Sequence, residues 1–462
     1  MANNTLTDLF GIVDCDLDRS EEINKNGKII KKIYLKYTGE MQRVCPNCGS
    51  KMYKHDKRHL EALDTPFCGY PAVIDIEFAR TRCSECKNLW QPEFESIDEN
   101  RKMTKRAFVD ITQRGLRNVF EDVCNDYDLT ANTAKNVFVD FMKEKEKELR
   151  FKTPAFLGLD EIKIKKLGEL TVFTDLEHRT LFDILRGRNQ EQLTEYCLTL
   201  SDRESVLWIC SDMYRPFERT IGDAFPNATW VIDKFHVTMK ANEAIDSVRR
   251  TLQESMDKKE RIQTKRGLAY TLKTRFRDLT TEETEKIRLI RESEKHRPMA
   301  TAFDLKEDFF NIYDENPISK ENAQKAFKDW EASIPEDEIY DKFRELAKTV
   351  HNFYEQVFNY WDCPIAITNG YTECMNRLIR ENNMRGRGYS FEVLRARTLY
   401  RRANLNAILE HGLAYIGPAI PEDEPVFHFD SSSGEEEEND DYEPFPEHDD
   451  LDVDPKTGEV ID

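Results

Sequence analysis

The chain has 462 residues, 39% hydrophobic and 34% charged, with a net charge of −20. At about 100–200 residues per domain this length fits two to four domains. No apolar run approaches the ~18 residues of a membrane span, and the opening MANNTLTDLFGIVDCD lacks the basic and apolar regions of a secretory signal. Eleven cysteines are too few for a disulfide scaffold and fit reduced thiols plus a metal site. The charge is concentrated at one end: residues 421–462 hold 18 Asp/Glu and one Lys, which leaves −3 on the other 420 residues. Bulk charge therefore decides nothing about a nucleic-acid partner, and local patches must.

Residues 1–100 contain short alternating runs, IIKKIYLKY and AVIDIEFAR, that predict strands around paired cysteines. Cys45-Pro-Asn-Cys48 is followed 34 residues later by Cys83-Ser-Glu-Cys86. Two such knuckles supply the four thiolates of a tetrahedral zinc site, and Gly49 lets the chain fold under the sulfurs. The metal would be structural. Cys68, His55 and His59 lie between the knuckles and read as surface or packing residues, with spare ligands as the alternative.

Residues 101–150 read as three helices. Phe108, Ile111, Leu116 and Phe120 form an apolar stripe. Asp128-Leu129-Thr130 is a turn, and Thr130 is placed to cap a last helix through Val137 and Phe141. This pattern resembles a helix-turn-helix, whose last helix would enter a major groove. Arg101, Lys102, Lys105, Arg106, Arg114 and Arg117 would contact phosphates.

From 151 to 239 strand and helix patterns alternate. AFLGLDEIKI reads as an apolar run ending in Asp160, SVLWICSD as one ending in Asp212, and TWVIDKFHV carries Asp233. The order β-β-β-α-β-α-β is that of an RNase H-like domain, in which the first and fourth strands are neighbours and Asp160 and Asp212 face each other. Two carboxylates held close repel unless a divalent cation lies between them. Oxygen ligands suit Mg²⁺ or Mn²⁺, and a third acid supports two ions about 3.5–4 Å apart. Glu373, on a helix after the Asn369-Gly370 turn, is that candidate. Asp233 is expected to be a supporting acid, and His236 structural or DNA-facing. Residues 240–362 are charged and helical, and 363–420 return to a mixed pattern. The segment after 420 is expected to be an acidic, disordered tail.

The motifs CPNCGS, RTRCSEC, GLDE, SDMYRPFERTI, VIDKFHV and TNGYTECMNRLIRENNMRGRGYSFEVLRAR run in order over residues 45–405. In these the chain resembles the zinc-ribbon DDE transposases of bacterial insertion sequences, the ISL-three type. Thr372 and Cys374 depart from the usual residues around the family's Glu, and the acidic tail is outside the resemblance. The resemblance implies a multidomain α/β protein in which a zinc ribbon and a helix-turn-helix precede an RNase H-like core interrupted by an all-helical insertion. It implies the triad Asp160, Asp212 and Glu373 holding two Mg²⁺ or Mn²⁺ ions, which cut and join DNA without a covalent protein intermediate. It also implies double-stranded DNA as partner (terminal inverted repeats and target), a homodimer on DNA, and a bacterial cytoplasm with nucleoid association when bound. Arg377, Arg380, Arg385, Arg387, Arg395, Arg397, Arg401 and Arg402, opposed only by Glu381 and Glu392, read as a phosphate clamp beside the site. Competing readings are a non-catalytic DNA-binding regulator on the same scaffold and an RNase H-fold nuclease.

Overall fold

Strands β1 (Cys15–Lys25), β2 (Lys28–Tyr37), β3 (Met52–Phe67) and β4 (Tyr70–Cys83) carry the alternating runs. Short strands β5 (Leu89–Trp90), β6 (Ile97–Asp98) and β7 (Met103–Thr104) complete a seven-stranded sheet of order β1-β2-β4-β3-β7-β6, with β5 beside β4. The β3–β4 hairpin closes through Cys68 and Gly69, both at positive φ (52° and 82°). Two such residues make the primed turn that matches strand twist, so Cys68 is a turn residue. His59 is taken up by Asp75, 2.7 Å away. The computed structural model describes residues 11–416 except 26, 99, 255, 257 and 316–318. The expected acidic tail, 421–462, lies outside the described residues.

Helices α1 (Lys105–Gly115), α2 (Phe120–Tyr127) and α3 (Ala131–Glu148) follow. Thr104 and Thr130 cap α1 and α3 by accepting from the Ala107 and Thr133 amides, and Asp128 at φ 53° ends α2. Phe108, Ile111, Phe120, Val137 and Phe138 are buried.

A second sheet has the order β11-β10-β9-β12-β13. It comprises β9 (Phe156–Ile164), β10 (Gly168–Asp175), β11 (Thr180–Arg186), β12 (Trp208–Ser211) and β13 (Thr229–Ile232). β9, β10 and β11 pair antiparallel, whereas β12 runs parallel to both β9 and β13. The strand that carries Asp160 therefore neighbours the one that leads into Asp212. Asp160 lies within β9, not at its end, because Ile162 and Ile164 continue the inward alternation.

Each face of this sheet has its own core. Leu157, Leu159, Phe173 and Leu185 pack with α4 (Gln190–Leu198), α5 (Arg215–Ala224) and the long helical segment. That segment runs from α6 (Lys234–Glu254) through α7 (Lys258–Lys273), α8 (Thr281–Glu292), α9 (Arg297–Glu315), α10 (Lys320–Ser333) and α11 (Asp341–Asn352) to α12 (Tyr354–Phe358). One hydrophobic cluster runs from the strands into these helices as far as Trp361. On the other face, Ile162, Ile164, Leu170 and Val172 pack with α1–α3 and the C-terminal helices. The latter are α13 (Gly370–Arg385), α14 (Phe391–Leu399) and α15 (Arg402–Glu410). A short strand β14 (Ala414–Ile416) then pairs with β8 (Leu149–Phe151). No helix among the described residues is long and apolar enough to cross a membrane.

The N-terminus of α13 sits directly on β9. A Cβ on Gly158 would lie 2.6 Å from Thr372 Oγ1 and 2.7 Å from Leu176 Cδ2. Substitution Gly158→Ala is therefore expected to cost about 1–3 kcal/mol through overpacking, measured by chemical denaturation, with part recovered when Thr372→Ala is added.

Candidate active site and metal centre

The four knuckle cysteines meet as their spacing requires. Cys45 and Cys48 precede β3, Cys83 ends β4 and Cys86 follows, so the hairpin brings the pairs together. Their sulfurs all lie within 4.8 Å of one another, with Cys45–Cys86 and Cys48–Cys86 at 3.5 Å and Cys48–Cys83 at 3.4 Å. Tetrahedral sulfurs about 2.3 Å from zinc sit about 3.8 Å apart. Gly49, at φ 70°, donates its amide to the Cys45 carbonyl at 2.9 Å. Ser50 lowers the Cys48 thiol, whereas the neighbouring sulfurs push Cys86 up, as four thiols crowded together without a cation between them must share their protons.

The second cluster forms where three neighbouring strands meet the start of α13. The β9–β12 pairing ends at Gly158 and Cys210, beyond which the chains diverge. Asn369 occupies the gap. It is fully buried, donates to the Leu159 carbonyl at 2.8 Å and accepts from the Thr372 hydroxyl at 2.6 Å. Thr372 also meets Thr174 at 2.6 Å. This network fixes the first turn of α13, from which Glu373 projects. One turn on, Asn376 donates to Asp160 at 2.7 Å, while the other Asp160 oxygen accepts from the Glu161 amide at 2.8 Å. Asp212 follows β12 and accepts from the Tyr214 amide at 3.1 Å. Asp233 follows β13, its amide bonded to the Ser211 carbonyl at 2.8 Å.

The tightest grouping is Asp233, His236 and Glu373, whose ligand atoms lie within 4.8 Å of one another. Asp160 and Asp212 adjoin it. Asp160 feels the charges of Asp212, Glu373 and His236, and Asp212 those of His236, Arg188 and Asp233. The sequence reading left His236 outside the site. Its only signal was the three-residue spacing from Asp233, which puts His236 on the first turn of α6, directly after that acid. Thr372, which departs from the family pattern, is the buried link between α13 and the sheet.

Burial dominates the electrostatics. It pushes Asp160 up to about 6 and Glu161 up to about 7, and it raises Asp212, Asp233 and Glu373. Asp233 is fully buried, and neither of its carboxylate oxygens has a hydrogen-bond partner. The Phe235 and Asn369 amides lie near enough to favour its charge without reaching hydrogen-bond geometry. Orphaned buried carboxylate oxygens beside further carboxylates are what a hard divalent cation satisfies. The donor set therefore fits Mg²⁺ or Mn²⁺, and an imidazole is admissible beside carboxylates for the latter.

The basic candidates separate into two groups. Lys102, Lys105, Arg117, Arg377, Arg380, Arg385 and Arg387 are exposed, with no acidic partner among the described residues. Arg401 and Arg402 are also exposed. The other group is committed internally. Arg101 pairs with Asp98 and Asp140, Arg106 with Asp64, and Arg114 with Asp110 and Asp126. Arg395 is held by Asp183 and Glu146, and buried Arg397 donates to the Gly115 and Asn118 carbonyls. These last two join α14 to β11, α3 and the α1–α2 turn, which removes them from the set available to phosphates.

Two family models match the chain: a DDE transposase model of the ISL3 type over residues 157–398, and the zinc-finger of transposase IS204/IS1001/IS1096/IS1165 over residues 42–86. No curated protein matches. The four cysteines are thus a structural zinc site, and a divalent metal at the carboxylates accords with the first family.

Zinc removal is expected to loosen residues 42–52 and 83–90, read as faster amide exchange, while the β9–β13 sheet stays protected. Among the described residues the hydrophobic cluster around the knuckle thiols adds just Met52 and Trp90, so little apolar contact remains there without the metal. Protection lost across the whole chain would contradict this.

The carboxylates give a pH prediction. Raised pKa values mean that the metal-free fold binds protons more tightly than the unfolded chain. Their contribution is fully present below the unfolded pKa of about 4 and is lost as pH rises through about 6. Cation and proton compete for the same oxygens, so the rise in Tm with Mn²⁺ should grow between pH 5 and 7.5. The stabilisation behind it should approach about 2.7 kcal/mol at a hundredfold excess over Kd, and the rise should shrink in Asp160→Asn.

Proposed function

Because the chain belongs to the DDE transposases of the ISL3 type, we propose that it binds the ends of an insertion sequence and catalyses metal-dependent DNA cleavage and strand transfer. The observation that supports this reading is the grouping of Asp233, His236 and Glu373 within 4.8 Å, with Asp160 and Asp212 near enough to act electrostatically on it and the buried Asp233 carboxylate without a hydrogen-bond partner. The strand order of the β9–β13 sheet supports an RNase H-like core assembled from residues 151–239 and 363–420, with 240–362 as its helical insertion. Residues 1–100 would be the ribbon region and 101–150 a helix-turn-helix, with α3 as the groove-reading helix.

In this reading Asp160, Asp212 and Glu373 hold the cations, and Asp233 and His236 complete the cage. Two bound Mg²⁺ or Mn²⁺ ions would supply activation of the attacking water or 3′-hydroxyl and neutralisation of the leaving oxygen. The protein's part is positioning. Asn376 fixes one Asp160 oxygen, and Asn369 and Thr372 fix the turn that aims Glu373. Exposed Arg377, Arg380, Arg385 and Arg387 extend from the site along and beyond α13, and would draw the DNA backbone to it. Lys102, Lys105 and Arg117 would do the same at the three-helix module. Pairing two DNA ends favours a homodimer, acting in the bacterial cytoplasm at the nucleoid.

Cleavage and strand transfer on element-end duplexes with Mg²⁺ test this. Asp160→Ala, Asp212→Ala and Glu373→Ala should each lose roughly a thousandfold or more in rate, with DNA binding intact by gel shift. Cutting without joining and without preference for inverted repeats would indicate a nuclease. Binding without cutting, alike in wild type and variants, would indicate a regulator.

A further inference from the structure

A cavity of about 330 Å³ opens beside the carboxylate cluster, and Asp233 and Glu373 form one end of it. The start of α6, the 275–277 turn after α7, and α9 supply the remaining walls. Its lining includes the aromatic residues Phe235, Phe310 and Tyr313, of which Phe235 is 50% exposed although it lies between Asp233 and His236 in the chain. It also includes the cations Lys234, Arg275 and Arg277. Arg275 is immobilised by Glu307 at 3.1 Å, Asp314 at 2.6 Å and Asn311 at 2.7 Å, with its guanidinium 4.8 Å from the Phe310 ring centre. Arg277 remains exposed beyond its 3.0 Å contact with Asp314. Two buried polar groups in the wall lack partners: the Tyr313 hydroxyl and the Asp233 carboxylate.

Ligand pockets run from roughly 300 to 1,000 Å³, mostly apolar with a few convergent polar groups. Aromatic rings and cations lining one cavity, with the buried Tyr313 hydroxyl still unsatisfied, match a nucleotide: the ring stacks, the phosphate meets the cations and the base edge finds the hydroxyl. Sharing two acids with the cluster sets the occupant beside the reacting phosphate. We propose that this pocket receives one unstacked nucleotide of the DNA end, adjacent to the scissile phosphate, with its base on Phe235 and its phosphate facing Arg277 and Lys234. The inference rests on the DNA-cleavage reading above and adds to it a specific binding site for a flipped nucleotide.

The test uses full-length, zinc-loaded protein and element-end duplexes with 2-aminopurine at each position flanking the cut, in Ca²⁺. Emission at one flanking position should rise several-fold on binding, with its neighbours unchanged. Phe235→Ala and Arg277→Ala should bind the duplex but lose that signal. In Mg²⁺, Phe235→Ala should cut roughly tenfold more slowly, in line with the loss of one base–aromatic stack. On DNA abasic at the same position the Phe235→Ala and wild-type rates should converge, because there is no base left to stack. A merely structural role for Phe235 would leave its defect unchanged on abasic DNA, and that result overturns the proposal. So does uniform emission in a wild-type protein that cuts in Mg²⁺, which leaves the transposase reading standing. Wild type that binds but cuts no DNA would remove that reading, and the pocket proposal with it.

Discussion

Negative charge gathered out of water is the constraint around which the rest of the protein is arranged. Several carboxylates share one buried region, and each is held there against both desolvation and the repulsion of the others. Left to themselves such groups turn outward or stay protonated. Here the backbone denies them the first option. Asp160 is fixed within a strand by Asn376, Asp233 follows directly from a ladder hydrogen bond, and Glu373 is aimed by a helix whose first turn is bolted to β9 through Asn369 and Thr372. Gly158 is the consequence of that bolt, since any side chain there would separate α13 from the sheet.

The same constraint explains why so much chain can intervene between Asp212 and Glu373. The intervening helices begin at Lys234, immediately after Asp233, so the first turn of the helical segment already belongs to the cluster. Their apolar faces merge with the sheet's core from Leu157 to Trp361. The segment therefore shares the sheet's core, which is how residues of its distant α9 come to line a cavity beside Glu373. Arg395 and Arg397 act similarly on the opposite face, tying α14 to elements far away in sequence.

Legibility in the sequence followed the locality of each signal. The zinc site was readable because its ligands come as two short knuckles and the hairpin does the rest. The strands, the turn at Asp128, the cap at Thr130, and the acids after β12 and β13 were readable because periodicity and turn chemistry mark them. The position of Asp160 within its strand was less so, since an acid in an apolar run looks like a terminus. His236 was missed because one histidine in a helical run carries no sign of what lies across from it. The arginines expose the deepest limit. Arg385 and Arg397 sit in one basic stretch, yet the first is exposed and the second is 8% exposed and bonded to backbone carbonyls. Composition counts charges without saying which way they face.

The charge pattern inside the site has a further consequence for how cations would be shared. Glu161 is bonded to Arg188 at 3.2 Å, and Arg188 also acts on Asp212. On the other side His236 groups with Asp233 and Glu373. Asp160 feels both Asp212 and Glu373. Asp212 in turn feels Asp233 and Arg188, so the acids form one electrostatically continuous cluster. Two-ion phosphoryl transfer asks for several acids around one centre, so that attacking and leaving oxygens can meet different ions. Arg188 pairs with Glu161, so part of the negative charge beside Asp212 is offset by the protein's own cation.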